Sequence, residues 1–78
     1  MEQVDKERYA VALRVYRAVY QLKQDDAAST FDIHPREVSY FENGKFKWVS
    51  EESFEKVVGM LDEFMVRWSE EFVTNWRQ

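Results

Sequence analysis

Cysteine is absent from this chain of 78 residues, proline occurs once, at Pro35, and glycine twice, at Gly44 and Gly59. Without cysteine there are neither disulfide staples nor thiolate zinc sites, and the single histidine, His34, leaves a structural zinc ion without a ligand set. So few breakers favour helices joined by short turns over an array of strands and hairpins. No apolar run approaches the roughly 20 residues of a membrane span, and the first six residues lack the apolar stretch of a signal peptide. The expectation is a soluble, cytoplasmic domain with no cofactor and no membrane partner.

What the chain does contain is apolar and aromatic. Hydrophobic residues are 45% and charged residues 33%, enough of the former to fold. Three Trp, four Tyr and six Phe are a large apolar supply at this length. The supply matters because a core this small is marginal unless a partner or a dense aromatic packing supports it. One domain, residues 1–78, is expected.

The net charge of −4 is unevenly placed. Residues 1–49 carry eight basic and eight acidic side chains, whereas residues 50–78 carry three basic and seven acidic ones. That total argues against a protein that coats nucleic acid non-specifically, which needs summed positive charge. It leaves open a site-specific reader with its basic residues on one face.

Four helical segments follow from spacing. Tyr9, Leu13, Tyr16, Val19 and Tyr20 recur at three- and four-residue steps and predict a helix over about 5–23. A short segment, 24–31, carries Asp25 and Asp26 in its first turn, where acids suit the helix dipole. A turn through Asp32 and Ile33 leads to His34-Pro35, which opens a third helix at about 35–43. Proline suits the first helical position, and Glu37 stands where a capping-box acid belongs. Val38 and Phe41 give it an inward face, and Gly44 is placed to end it in a left-handed conformation. After a loop over 45–49, Ser50 is a good N-cap for a C-terminal helical segment at about 51–77. Its stripe is Phe54, Val57, Val58, Leu61, Phe64, Met65, Trp68, Phe72 and Trp76. As one helix it would span about 42 Å, more than so small a core can cover. Either it breaks near Gly59 or Glu63, or its outer half packs on something else.

Nothing in the pattern reads as an enzyme. The acidic pairs Asp25/Asp26, Glu51/Glu52 and Glu70/Glu71 are adjacent in sequence and diverge by about 100° on a helix, so they form no two-carboxylate site. No nucleophile motif or glycine-rich phosphate loop occurs, and His34 is explained by its place before Pro35.

Two short helices across a tight turn, between a longer leading and a trailing helix, suggest a helix-turn-helix. The stretches Leu13–Arg17, Leu22–Ala28, Phe31–Ile33 and Val38–Lys45 resemble the Cro/phage-repressor (XRE-type) helix-turn-helix family without a gap from Leu13 to Lys45. The resemblance extends to Phe54, Val57 and Leu61 if the loop carries about one extra residue. Its specific parts are Gln24 opening the second helix, Ala28, and the ending Ser39…Glu42-Asn43-Gly44-Lys45. Lys23 departs from the usual Ser or Thr cap, Asp32 from the usual turn glycine, and Ala27 from a larger aliphatic. The fold implied is all-α and lambda-repressor-like, a compact domain of four to five helices.

The function implied is sequence-specific binding of double-stranded DNA, with the third helix entering the major groove. Positions matching the family's DNA-facing residues are Gln24, Pro35, Arg36, Glu37, Ser39, Tyr40, Asn43, Lys45 and Lys47. Arg36 is the preferred base reader, since its planar fork matches guanine O6 and N7. Glu37 either accepts from a cytosine amino group or caps its own helix. Gln24, Lys45 and Lys47, with Lys23 and Arg17 as further candidates, would hold phosphates. A small bacterial or phage repressor acting by operator occupancy is the reading implied.

The segment from Phe64, Met65 and Trp68 to Phe72 and Trp76 exceeds the minimal family domain. It either folds back as a fifth helix onto Tyr9, Tyr16 and Tyr20, forms the interface of a homodimer, or docks on another protein. The last case belongs to a competing reading, in which the module has been repurposed for protein binding as an antirepressor or antitoxin-like modulator. The net −4 and the acids Asp25, Asp26 and Glu37 favour that reading.

Overall fold

The computed structural model describes the backbone of residues 3–77 and the side chains of residues 6–67. Four α-helices, α1 (Gln3–Tyr20), α2 (Gln24–Phe31), α3 (Pro35–Glu42) and α4 (Glu51–Arg77), follow one another, with a single 3-10 turn at Phe46–Trp48 before α4. No strand occurs among the described residues. The all-α expectation holds, and α2 and α3 form the helix-turn-helix pair across a short turn.

Each of the first three helices ends in the same way. A left-handed residue follows each, directly after α1 and α2 and one residue past Asn43 after α3: Gln21 at φ 55°, Asp32 at φ 61° and Gly44 at φ 75°. Paired hydrogen bonds then close the end. After α1, Gln21 N–H donates to the Ala18 carbonyl and Leu22 N–H to that of Arg17. Asp32 and Ile33 do the same to Ser29 and Ala28, and Gly44 and Lys45 to Phe41 and Tyr40. Gly44 ends α3 as its position predicts. The expected first helix, 5–23, instead stops at Tyr20, because Gln21 enters left-handed space without a glycine to mark it.

Helix starts are equally local. Lys23 lacks a side-chain acceptor, but the Asp26 carboxylate takes the Lys23 N–H at 3.1 Å. His34 Nδ1 accepts the Arg36 N–H at 3.0 Å, with Pro35 opening α3. Ser50 Oγ accepts the Ser53 N–H at 3.1 Å, the N-cap expected for α4.

The core lies where α2 and α3 pack between α1 and the first four turns of α4. Leu13, Ala27, Val38, Phe41, Val57 and Leu61 are sealed from solvent, with Ala28 and Phe31 nearly so. Ala27 and Ala28 let α2 sit close, and aromatics fill around them. Tyr16 packs on Phe31 at 5.2 Å, while Phe41 meets Phe46 edge-on at 5.3 Å and Phe54 at 5.6 Å. Two residues of the expected α1 stripe are outside this core: Val19 and Tyr20 are exposed, and Ala10 and Ala12 are buried instead.

The helix α4 is unbroken through Gly59 and Glu63, so the expected break, and with it a separate fifth helix, does not occur. Its 27 residues span about 40 Å, nearly the 43 Å long axis of the molecule. The contact with Tyr16 and Tyr20 expected of a folded-back tail is made by Phe64, at 5.0 Å and 6.1 Å. Trp68, Phe72 and Trp76 lie outside the described side chains.

The helix ends yield a paired test. Gln21→Gly should raise stability by up to about 1 kcal/mol, because a left-handed side-chain residue is strained. Gly44→Ala should lower it by about 1 kcal/mol; a Cβ there meets nothing within 4 Å, so the penalty is purely conformational. Chemical denaturation of both variants measures the two signs.

Candidate nucleic-acid interface

Apart from Arg17, which lies on α1, the residues singled out for DNA contact sit on α3, the loop that follows it and the start of α2. The structure divides them into those facing solvent and those committed inside the fold.

Glu42 is the most committed. It is 5% exposed, and its carboxylate accepts two hydrogen bonds from the Arg17 guanidinium, from Nε at 2.6 Å and Nη2 at 2.9 Å. The Gln24 amide donates to the same carboxylate at 3.2 Å. Arg14 donates to the Glu42 main-chain carbonyl at 2.7 Å, and Arg17 Nη1 donates to the Leu22 carbonyl at 3.1 Å. One carboxylate on α3 thus ties α1 and α2 to it, and hydrogen bonding to Glu42 raises the pKa of Arg17 further above its ordinary value. Arg17, a candidate phosphate holder, instead directs three of its five N–H donors inward, to Glu42 and Leu22. Gln24 has one amide donor fixed on Glu42 at the mouth of α2.

Glu37 is also turned away from the groove-reading role. Its carboxylate accepts from His34 N–H at 3.3 Å, Ser50 N–H at 3.1 Å and Ser53 O–H at 2.8 Å. Capping, the first of its two expected roles on physical grounds, is the one it performs, and it fastens the start of α3 to the start of α4 as well. Burial pushes the Glu37 carboxyl up, but the donors of Ser50, Ser53 and His34 together outweigh burial and hold it below its ordinary value.

The remaining candidates lie outward. Arg36, Asn43, Lys45 and Lys47 are exposed, while Ser39 and Tyr40 are half-buried on the same helix. Asn43 folds its amide back to the Ser39 carbonyl at 2.8 Å, which pins the last turn of α3. Pro35 is exposed at the first turn. With Glu42 paired to Arg17 and the Glu37 carboxylate held by neutral donors, the cations that α3 and its following loop present are Arg36, Lys45 and Lys47. Asp25 and Asp26 remain exposed at the start of α2.

Spacing alone had not revealed the Arg17–Glu42 clamp. Its partners are 25 residues apart, and only the fold brings them together. No cluster of three metal-ligating side chains occurs among the described residues. Among them, too, no helix is long and apolar enough to cross a membrane. No family model, curated protein or solved structure matches this chain. What the surface can do chemically therefore rests on its geometry: a short exposed helix with one forked cation near its N-terminus, and two lysines beyond its C-terminus.

Two measurements check the internal assignments. Arg17→Ala leaves the Glu42 carboxylate buried against a single neutral amide donor and should cost about 2–4 kcal/mol in chemical denaturation. For Glu37, the folded carboxyl is the stronger acid, so its contribution is present above the unfolded value of about 4.5 and is lost as pH falls through the lower folded value. Glu37→Gln should be less stable than the parent at pH 7, and the two stability curves should converge once the pH has fallen below the folded value.

Proposed function

We propose that this chain is a sequence-specific reader of double-stranded DNA, in which α3 enters the major groove and occupancy of the site regulates transcription. The observation that carries the reading is the fate of the two acids of α3. Glu42 is ion-paired to Arg17 and the Glu37 carboxylate is held by His34, Ser50 and Ser53, which leaves Arg36 as the cation on the exposed face of that helix and Lys45 and Lys47 just past its end. A helix of this length and exposure fits a major groove about 12 Å wide. The resemblance of Leu13–Lys45 to the XRE-type helix-turn-helix supports the same assignment.

Within this reading the roles divide. Arg36 reads a base edge, bidentate to guanine, while Ser39 and Tyr40 lie near the groove floor or wall. Lys45 and Lys47 neutralise phosphates at the C-terminal end, and Gln24 offers its second amide N–H at the mouth of α2. Asn43 and Glu37 hold the helix in shape rather than contact DNA. Within this reading the mode of action is direct blocking of an operator in a bacterial or phage setting.

A homodimer on a two-fold site suits such a reader. An apolar groove between α1 and α4, lined by Val11, Ala12, Val15, Phe64 and Met65 with Glu7 and Arg8 at its rim, supports a protein contact on the far helices. Phe64 and Met65 already pack on the chain's own core as well. The same groove is the one observation favouring a second reading, a helix-turn-helix module that works by binding a protein of another kind.

Selection from a randomised duplex pool at moderate salt, with Arg36→Ala run in parallel, tests the proposal. A two-fold symmetric site should be enriched by the parent, and the Arg36→Ala variant should lose about 1–3 kcal/mol at one base position and relax specificity there. Absence of any enrichment, even at low salt where phosphate contacts are strongest, would sink DNA reading in favour of the protein-binding alternative.

A further inference from the structure

Trp48 is 59% exposed, as much as any large apolar side chain described. Its exposure is built in. The 3-10 turn that carries it is anchored on both sides: Phe46 stands edge-on to Phe41 at 5.3 Å and to Phe54 at 6.1 Å, and Val49 is buried. Trp48 N–H donates to the Lys45 carbonyl at 3.1 Å and Val49 N–H to that of Phe46 at 3.0 Å. The alternation of inward Phe46, outward Trp48 and inward Val49 leaves the indole no way into the core. Its one described ring partner is Tyr40 of α3, at 6.1 Å and tilted by 36°. Lys47 Nζ stands 5.6 Å from the indole centroid. A groove of about 610 Å³ runs beside it, lined by Lys6, Glu7, Gly44, Lys45, Phe46, Lys47 and Trp48. Three lysines against one acid make this patch basic in a chain whose net charge is −4.

We infer that Trp48, propped by Tyr40 and flanked by Lys45 and Lys47, is a DNA-backbone contact: the indole lies against a deoxyribose while the lysines hold the phosphates on either side of it. The inference rests on the proposed reading and deepens it. The chemistry is that of a polyanion with an apolar face at every sugar, which an exposed flat ring beside the Lys47 ammonium, with Lys45 on the same groove, matches and a protein or free anion matches less completely. Trp48 lies beyond the C-terminal end of α3, where the strand bordering the major groove would pass if that helix reads bases. It therefore supplies affinity and register, and no sequence preference.

The role predicts a distinctive pattern in titrations of the enriched duplex and a scrambled duplex across a salt series. Trp48→Ala should weaken binding to both by a similar factor, roughly 5- to 30-fold. The slope of log affinity against log salt should stay unchanged, because an uncharged contact releases no counterion. Lys47→Ala should lower that slope by about one. DNA should quench tryptophan fluorescence in the parent, and this quenching should vanish in Trp48→Phe, a variant that keeps an apolar ring and most of the affinity. Equal binding by parent and Trp48→Ala would overturn the inference, as would a loss confined to the enriched duplex. Should Trp48→Ala fail to fold, undiminished quenching in Trp48→Phe would overturn it alone. A parent that binds no duplex at low salt defeats this inference and the proposed function together, whereas the other outcomes leave the proposed function standing.

Discussion

The carboxylate of Glu42 is the constraint on which the arrangement of the first three helices depends. It sits almost out of solvent on the last turn of α3 and accepts from Arg17 on α1 and Gln24 on α2. A carboxylate in that position is expensive unless every lone pair facing the protein has a donor, so the groups that satisfy it are not free to move independently. Arg17 also donates to the Leu22 carbonyl just past the end of α1, and Arg14 to the carbonyl of Glu42 itself. The turn between α1 and α2 and the end of α3 are thereby fixed relative to one another by polar bonds. Apolar packing by Leu13, Phe31 and Phe41 supplies the burial, and the clamp sets the register in which that burial occurs.

Glu37 does at one end of α3 what Glu42 does at the other. By accepting from His34, Ser50 and Ser53 it couples the start of α3 to the start of α4, so the short helix is held at both ends by its own acids. An eight-residue helix is too short to be stable alone. Its rigidity has to come from such attachments, and a rigid helix is what a groove-reading surface requires, since residues that must be ordered on binding cost affinity.

The parts of this fold that were legible in the sequence are the parts set by neighbours within about four residues. Ser50, Pro35 and Gly44 mark helix boundaries through their own backbone chemistry, and the boundaries of α2 and α4 follow. The end of α1 was not legible, because Gln21 adopts a left-handed conformation that its type does not advertise and that the Leu22 and Arg17 contacts hold in place. The continuity of α4 was hidden by Gly59, an exposed glycine that weakens a helix by about 1 kcal/mol without ending it. For the candidate site, Arg36, Lys45 and Lys47 came from the resemblance to the helix-turn-helix family, and the structure leaves all three exposed. The inward turn of Glu42, and the loss of Arg17 to it, could not be read from the sequence, since the pair is joined only through the packing of α1 on α3.

That inward turn changes what the net charge means. Summed over the chain, −4 argues against a polyanionic partner; α3 and its following loop carry three cations, Arg36, Lys45 and Lys47, against Glu37 and the Arg17-paired Glu42, so the local sign reverses. The acids responsible for the total lie mostly on α4, while those of α3 are neutralised or hydrogen-bonded within the fold. At physiological ionic strength exposed charges more than about 8 Å apart are largely screened from one another, so a phosphate docked beside Lys45 and Lys47 responds mainly to those two lysines. On the proposed reading, distant acids would slow encounter and penalise misplaced approach, which disfavours non-specific coating and favours the face that carries Arg36, Lys45, Lys47 and the exposed ring of Trp48. Asp25 and Asp26, exposed at the start of α2, extend the same effect to the edge of that face: they oppose phosphates there and confine favourable contact to the side carrying α3 and the loop beyond it.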